Sequence, residues 1–191
     1  MSMISKADGK KLIGLARESI LASFSDGKVD VPAEFSKRFS APQGGFVTLT
    51  IEGRLRGCIG YVEPVFPLCE TIIRAAQSAA FEDPRFPPLQ KEEYKHIQVE
   101  ISVLTLPELI EVEKIDDYLN KIKIGEDGLI IRGRFGSGLL LPQVFTEYKC
   151  DPRTALQMTC EKAGLPMDAW KDLHNRIYKF QAEIFSEKAE K

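Results

Sequence analysis

The sequence predicts an α+β fold built mainly on antiparallel strands, and three observations carry that expectation. Hydropathy alternates with period two over residues 47–51, 98–103 and 178–184, which marks half-buried strands. Short glycine-containing turns, at Glu52-Gly53 and over residues 132–138, join neighbouring strand-like runs as hairpins. Between them lie segments with apolar residues at helical spacing and capping residues at their starts. A chain of 191 residues is then one domain, or one domain with two lobes.

The elements follow in order. Ser5 and Asp8 form a capping box for a helix that buries Leu12, Leu15, Ala16, Ile20 and Phe24 and stops at Gly27. A polar, proline-containing stretch leads to Gly44-Gly45 and the first strand, where Val47, Leu49 and Ile51 alternate with threonines. The return strand spans residues 54–62, interrupted by Gly57 and Gly60, with Leu55 and Ile59 expected on the core side. Pro67 is expected as the first residue of an amphipathic helix carrying Leu68, Cys69, Ile72, Ile73, Ala76 and Ala80. Pro84, Pro87 and Pro88 then make residues 81–89 a stiff loop.

Val99, Ile101 and Val103 define the next strand, and a short helix covers residues 116–122. Residues 129–131 and 139–141 form two strands of a meander. Asp151 and Pro152 supply the N-cap and first turn of a helix closed by Gly164, and Asp168 caps a further turn through Trp170 and Leu173. Residues 178–184 read as one terminal strand, and 186–191 as a charged tail. Gly53–Gly57 and Gly133–Ser137 each sit between strand-like runs followed by proline and a helix. Either duplication of a hairpin-plus-helix unit or the general likeness of hairpins accounts for that match.

Composition narrows the function. Hydrophobic residues make up 43% and charged residues 28%, and 26 Lys+Arg against 28 Asp+Glu leave a formal charge of −2. That is the profile of a globular chain with no bulk positive field, so strong nucleic-acid binding is not expected. No apolar run is long enough for a membrane span, and the charged N-terminus does not suit a signal peptide, which makes a cytoplasmic protein the expectation. Cys58, Cys69, Cys150 and Cys160 show neither zinc-ligand nor redox-pair spacing, so free thiols and no metal site are expected. Nothing in the sequence names a cofactor.

Chemistry concentrates in residues 54–60. In a regular strand Arg54, Arg56 and Cys58 share one face, so the thiol has cations beside it that favour thiolate. Gly57 and Gly60 would let a ligand approach the backbone, or mark a bulge with a buried cysteine. Glu82, Asp83 and Arg85 stand on the stiff loop, either as a binding cluster or as a structural corner. Glu100, on the polar side of its strand, is the candidate proton-transfer group, and His96 and His174 stand in no recognisable motif. Burial of the helix from Leu68 brings the loop back to a sheet edge; on one edge Arg56, Cys58, Asp83 and Arg85 meet at one cleft, which is the expectation, and on the opposite edge the two motifs are separate structural corners. The glycine-rich residues 133–138 lack the Lys-Ser/Thr of a phosphate loop.

Several ordered motifs together resemble the AMMECR domain family, named after a chromosomal region linked to Alport syndrome, midface hypoplasia and elliptocytosis. They are Leu55-Arg56-Gly57-Cys58-Ile59-Gly60, Asp83-Pro84-Arg85-Phe86-Pro87-Pro88-Leu89, Ile101-Ser102-Val103-Leu104-Thr105, Gly128-Leu129-Ile130, Leu140-Leu141-Pro142-Gln143-Val144 and Lys162-Ala163-Gly164-Leu165-Pro166. The likeness extends from about the first helix to Phe185, which implies one domain over residues 1–185, and Cys150 departs from it, standing where similar members carry an aromatic residue. It implies an α+β domain with two lobes around a barrel-like antiparallel sheet. Some bacterial relatives are fused or neighbour to radical-SAM and Memo-type proteins, which implies a functional link to such partners. Two readings follow: a non-catalytic ligand-binding or regulatory module around Arg56, Cys58, Asp83 and Arg85, whose partner is a small ligand or a protein; or an enzyme or enzyme subunit using Cys58 as nucleophile or redox thiol with Glu100 moving protons.

Overall fold

Ser5 Oγ accepts a hydrogen bond from the Asp8 N–H at 3.1 Å, and helix α1 (Lys6–Ser23) begins there. Leu12, Leu15, Ala16 and Ile20 line its buried face, and the Gly27 N–H returns to the Ala22 carbonyl to close its end. The structure, a computed structural model, describes residues 4–25, 27 and 29–187. The chain divides into two compact units, one taking in the described residues up to Leu104 and those from Glu183 on, the other Thr105–Ala182.

In the first unit, β1 (Gly45–Ile51) pairs antiparallel with β2 (Arg54–Tyr61) on one side and with β3 (Ile97–Leu104) on the other. The turn at Glu52 and Gly53 takes φ of 51° and 79°, the left-handed pair a tight hairpin requires. Val47, Leu49, Val99 and Ile101 point to one face, where α3 (Leu68–Phe81) lays down Leu68, Ile72, Ala75, Ala76 and Ala79. Leu68 and Ile72 are completely buried, each contributing roughly 1.5–3 kcal/mol by leaving water. A last strand, β8 (Ala182–Ser186), joins the sheet beside β3.

The second unit holds β4 (Glu108–Leu109), β5 (Gly128–Arg132), β6 (Ser137–Leu140) and β7 (Arg176–Phe180), in the order β4-β7-β5-β6. Its core gathers Leu129, Ile131, Phe145, Leu156, Trp170 and Ile177 from the sheet and from α4 (Asp117–Lys121), α5 (Pro142–Glu147), α6 (Pro152–Lys162) and a 3-10 turn (Ala169–Lys171). Asp151 Oδ1 caps α6 by accepting from the Thr154 N–H at 2.7 Å, and Gly164, at φ 70°, ends it. Both units share one order: a hairpin, then a helix, then a strand that pairs with the first hairpin strand, giving β2-β1-β3 and β6-β5-β7. The edge strands are exchanged. β4 follows β3 in the chain but pairs with β7, and β8 follows β7 but lies beside β3.

Several expectations need correction. The strands form two open four-stranded sheets and do not close into a barrel, because each order ends on two unjoined edges. The terminal strand is two strands that part at Gln181, since hydropathy alternation records burial but not which sheet a residue joins. Short α2 (Ala33–Arg38) and α5 escape notice in the sequence because each is too brief for a periodic stripe to emerge. Pro67 stands one residue before α3, as its N-cap. Leu55 is 43% exposed, for a reason that lies in the candidate site. Of the expected tail, Ser186 ends β8, and residues 188–191 lie outside those described.

Candidate functional site

The β1–β2 ladder pairs Leu49 with Gly57 and the next residue, Thr50, with Leu55, so Arg56 is the extra residue of a bulge. The bulge reverses the alternation. Gly57 turns to the core beside Leu49, whereas Leu55 turns to the opposite face with Thr50. Arg54, Arg56 and Cys58 therefore do not form the regular row that period two predicts. A Cβ at Gly57 would lie 2.0 Å from the Ala79 carbonyl oxygen, so the end of α3 can press on β2 only over a glycine. At Gly60 the space a Cβ would fill belongs to the Phe46 ring and the Gly45 carbonyl. Both glycines serve close packing within the protein.

Cys58 stands opposite Thr48, and Thr48 stands opposite Glu100 on β3, so the three occupy one row on one face. Thr48 Oγ1 donates to Cys58 Sγ at 3.3 Å. Two strand spacings of about 4.8 Å set the Cys58 and Glu100 backbones roughly 10 Å apart. Cys58 and Glu100 are each half-buried.

The loop after α3 meets this strand through Asp83. Its carboxylate is 3% exposed and accepts the Cys58 N–H at 2.9 Å, while Oδ1 accepts the Arg85 N–H at 3.1 Å. Arg85 grips the carboxylate with Nε at 2.9 Å and Nη2 at 2.7 Å, and Nη2 also donates to the Cys58 carbonyl at 3.2 Å. One ion pair thus holds both peptide groups of Cys58. The hydrogen bonds from Arg85 above all, with those from the Cys58 and Arg85 backbone, hold the Asp83 carboxyl well below the usual carboxylate range, against the opposing effect of burial.

Arg56 turns to a different carboxylate. Its Nε and Nη2 reach the two oxygens of Glu93 at 2.9 Å each, and Glu93 also accepts the Gln90 N–H at 2.8 Å. The Arg56 hydrogen bonds lower the Glu93 pKa. Phe86 lies beside both guanidinium groups, its ring centroid 5.9 Å from Arg56 Cζ and 5.6 Å from Arg85 Cζ. The remaining nitrogen of Arg56, Nη1, is buried without a hydrogen-bond partner among the described residues.

Structure therefore brings Arg56, Cys58, Asp83 and Arg85 to one place, with Gly57 turned to the core beneath it, Gly60 two residues along the Cys58 face against Phe46, and Glu100 across the sheet. Sequence reasoning missed Thr48, Phe86 and Glu93. Thr48 was legible as a polar strand position and Phe86 as part of a motif, but nothing in the sequence around Glu93 marks it as the partner of Arg56. The other thiols differ in kind: burial pushes Cys69 up to about 11 and raises Cys160, while Cys150 is raised by burial and by Asp151 beside it. All four cysteines are free. His174 is almost fully exposed and pairs with Asp172, and His96 lies in the exposed turn before β3. Among the described residues, no group of three or more His, Cys, Asp or Glu could hold a metal ion, and no helix is long and apolar enough to cross a membrane.

Buried carboxylates gripped by more exposed cations recur elsewhere, in Asp8 with Arg38 at 2.5 Å and Asp127 with Lys179 at 3.9 Å. An α+β protein of two open sheets, with an ion-paired loop clamped on a cysteine-bearing strand, is the class that fold and site define. The AMMECR1 family model matches residues 13–185. A protein of Methanothermobacter thermautotrophicus is 48% identical over 185 residues, 96% of each chain, and one of Methanocaldococcus jannaschii is 46% identical over 189 residues, 98% of this chain and 94% of that one. The crystal structure of an uncharacterised protein from Pyrococcus horikoshii superposes with a TM-score of 0.91 at 43% identity, covering 97% of this chain and 94% of that chain. The chain belongs to the AMMECR1 family.

Proposed function

We propose that this protein is a non-catalytic ligand-binding or regulatory module whose site is formed by Arg56, Cys58, Asp83 and Arg85. The observation that carries the reading is Arg56 Nη1, a buried cationic donor with no partner among the described residues. An unpaired buried donor is costly, and an oxygen of a bound small ligand would satisfy it. Arg85, half-exposed beside it, offers a second positive group, and the Asp83 and Glu93 ion pairs keep both guanidinium groups in fixed orientation. The ligand class is a small molecule bearing an anionic oxygen. A protein partner of the radical-SAM or Memo type extends the proposal from the family resemblance, and cytoplasmic residence extends it from a sequence with no apolar run long enough for a membrane span.

Titration of the isotope-labelled full chain with acetate and with inorganic phosphate, followed by NMR at the Arg56 and Arg85 Nε–H and the Cys58 amide, tests it. Saturable shifts at these groups that vanish in Arg56→Lys are expected. Their absence with both anions would overturn the reading.

A second reading has its own observation, the Cys58–Thr48–Glu100 row on one face. In it the thiol acts as nucleophile or redox group and Glu100 moves protons. It requires Cys58 chemistry, so Cys58→Ala would abolish function, whereas the binding reading requires only the strand's backbone and the arginines.

A further inference from the structure

The first unit carries a cavity of about 800 Å³ between α1 and residues 32–38, the segment that contains α2. Gly14 lines it in the middle of α1, where a Cβ would meet no atom within 4 Å, so the hollow reaches the helix backbone. Leu15 and Phe35, both buried, make its floor apolar, and Pro32 adds to the wall. The volume is that of a small-molecule pocket.

Six charged residues complete the lining, three of each sign: Lys11, Lys37 and Arg38 against Asp8, Glu18 and Glu34. The hollow is neutral in sum but not in arrangement. Arg38 pairs with buried Asp8 at 2.5 Å, which cancels those two charges and fixes the last residue of α2 beside the start of α1. Lys37 precedes Arg38 and Lys11 follows Asp8 on α1, so two further ammonium groups belong to this end. Glu18 lies beyond Lys11 by about 10 Å along α1, and Glu34 stands one turn back from Arg38 on α2. Among the described residues, Lys11, Lys37, Glu18 and Glu34 have no ion pair and no side-chain hydrogen bond. Charges of opposite sign at the two ends of an apolar floor favour a guest that carries both signs and holds them apart on hydrocarbon.

We infer that this cavity binds a small linear zwitterion, an aliphatic chain with a carboxylate at one end and an ammonium group at the other. The carboxylate lies with Lys11 and Lys37, the ammonium group with Glu18 and Glu34, and the chain over Leu15 and Phe35. Exposed ion pairs are individually weak, so a guest with a single charge leaves one end unanswered and binds less well. This site shares no residue with the one around Cys58, so the two stand or fall separately.

The experiment titrates the full chain, at low ionic strength, with 6-aminohexanoate, hexanoate and hexylamine, reading the backbone amide signals of residues 8–18 and 33–38. Saturable binding of 6-aminohexanoate is expected, about fivefold tighter than that of either singly charged compound. It should weaken about threefold in Lys37→Gln and in Glu18→Gln and stay unchanged in Lys91→Gln, an exposed control outside the lining. Gly14→Leu fills the hollow from the helix side and removes binding, and leucine is the better helix former at that position. Lys37 and Glu18 are exposed, so their variants remain informative even where Gly14→Leu disturbs the packing. Binding of hexanoate or hexylamine as tight as that of 6-aminohexanoate overturns the zwitterion. No saturable binding, or undiminished affinity in Gly14→Leu, Lys37→Gln or Glu18→Gln, overturns the whole.

Discussion

The Asp83 carboxylate accepts the Cys58 N–H at 2.9 Å, although 25 residues separate them in the chain. Arg85, bound to the same carboxylate, donates to the Cys58 carbonyl. The loop therefore acts as a clip on the one strand that carries the cysteine, and the clip's strength is electrostatic.

Asp83→Asn removes the charge from that clip while preserving its shape. The buried acceptor becomes a weaker one and Arg85 loses its ion pair, so a loss of about 2 kcal/mol is expected, discounted for the solvent around the half-exposed Arg85. Urea unfolding at neutral pH measures it, and a variant as stable as the parent would show the clip to be ornamental.

Acid should expose the same contribution. Because the Asp83 and Glu93 pKa values are lowered by folding, their stabilisation is fully present above the unfolded carboxyl range near pH 4 and disappears as pH falls below it. Between pH 7 and 5 these groups leave stability unchanged. Below about pH 4 the parent should lose stability more steeply than Asp83→Asn, and parallel curves would contradict the assignment.

Gly57→Ala and Gly136→Ala place a methyl group 2.0 Å from the Ala79 carbonyl and 2.1 Å from the Ala163 carbonyl respectively. Neither backbone can yield without moving a helix end, and each variant should lose about 2 kcal/mol or more. Gly14→Ala is the opposing control: it meets nothing within 4 Å in the middle of α1, so helix propensity should make it neutral or stabilising by up to about 1 kcal/mol. Thermal unfolding of the three variants distinguishes contact from propensity.

Mild alkylation at neutral pH, followed by mass mapping, should label Cys58 first. It is half-exposed, whereas Cys69 and Cys160 are buried and shifted toward the unreactive thiol form, and Cys150 is shifted the same way. Faster labelling at Cys150 would mean that the Thr48 contact shields the Cys58 sulfur more than its exposure indicates.

Local rules are legible in the sequence because they act over a few residues. Ser5, Asp151 and Gly164 announce helix ends through their own side-chain or backbone chemistry, and Val47, Leu49, Val99 and Ile101 reveal a buried face by alternation. A short connection and an amphipathic helix that must cover the sheet return the Asp83 loop to a sheet edge, but which edge, and so its meeting with the Cys58 strand, is decided only by the tertiary structure. What tertiary structure alone decided are the relations that depend on where a second segment lies. The bulge at Arg56, which turns Leu55 outward and Gly57 inward, exists because α3 must approach the strand at Ala79. Arg56 finds Glu93 only after the loop folds back, and the parting of β7 from β8 at Gln181 is set by which sheet has an open edge beside β3. Side-chain pattern encodes burial, which is local in its demand; partner choice and sheet closure depend on the summed packing of distant segments, and no single stretch of the chain carries that sum.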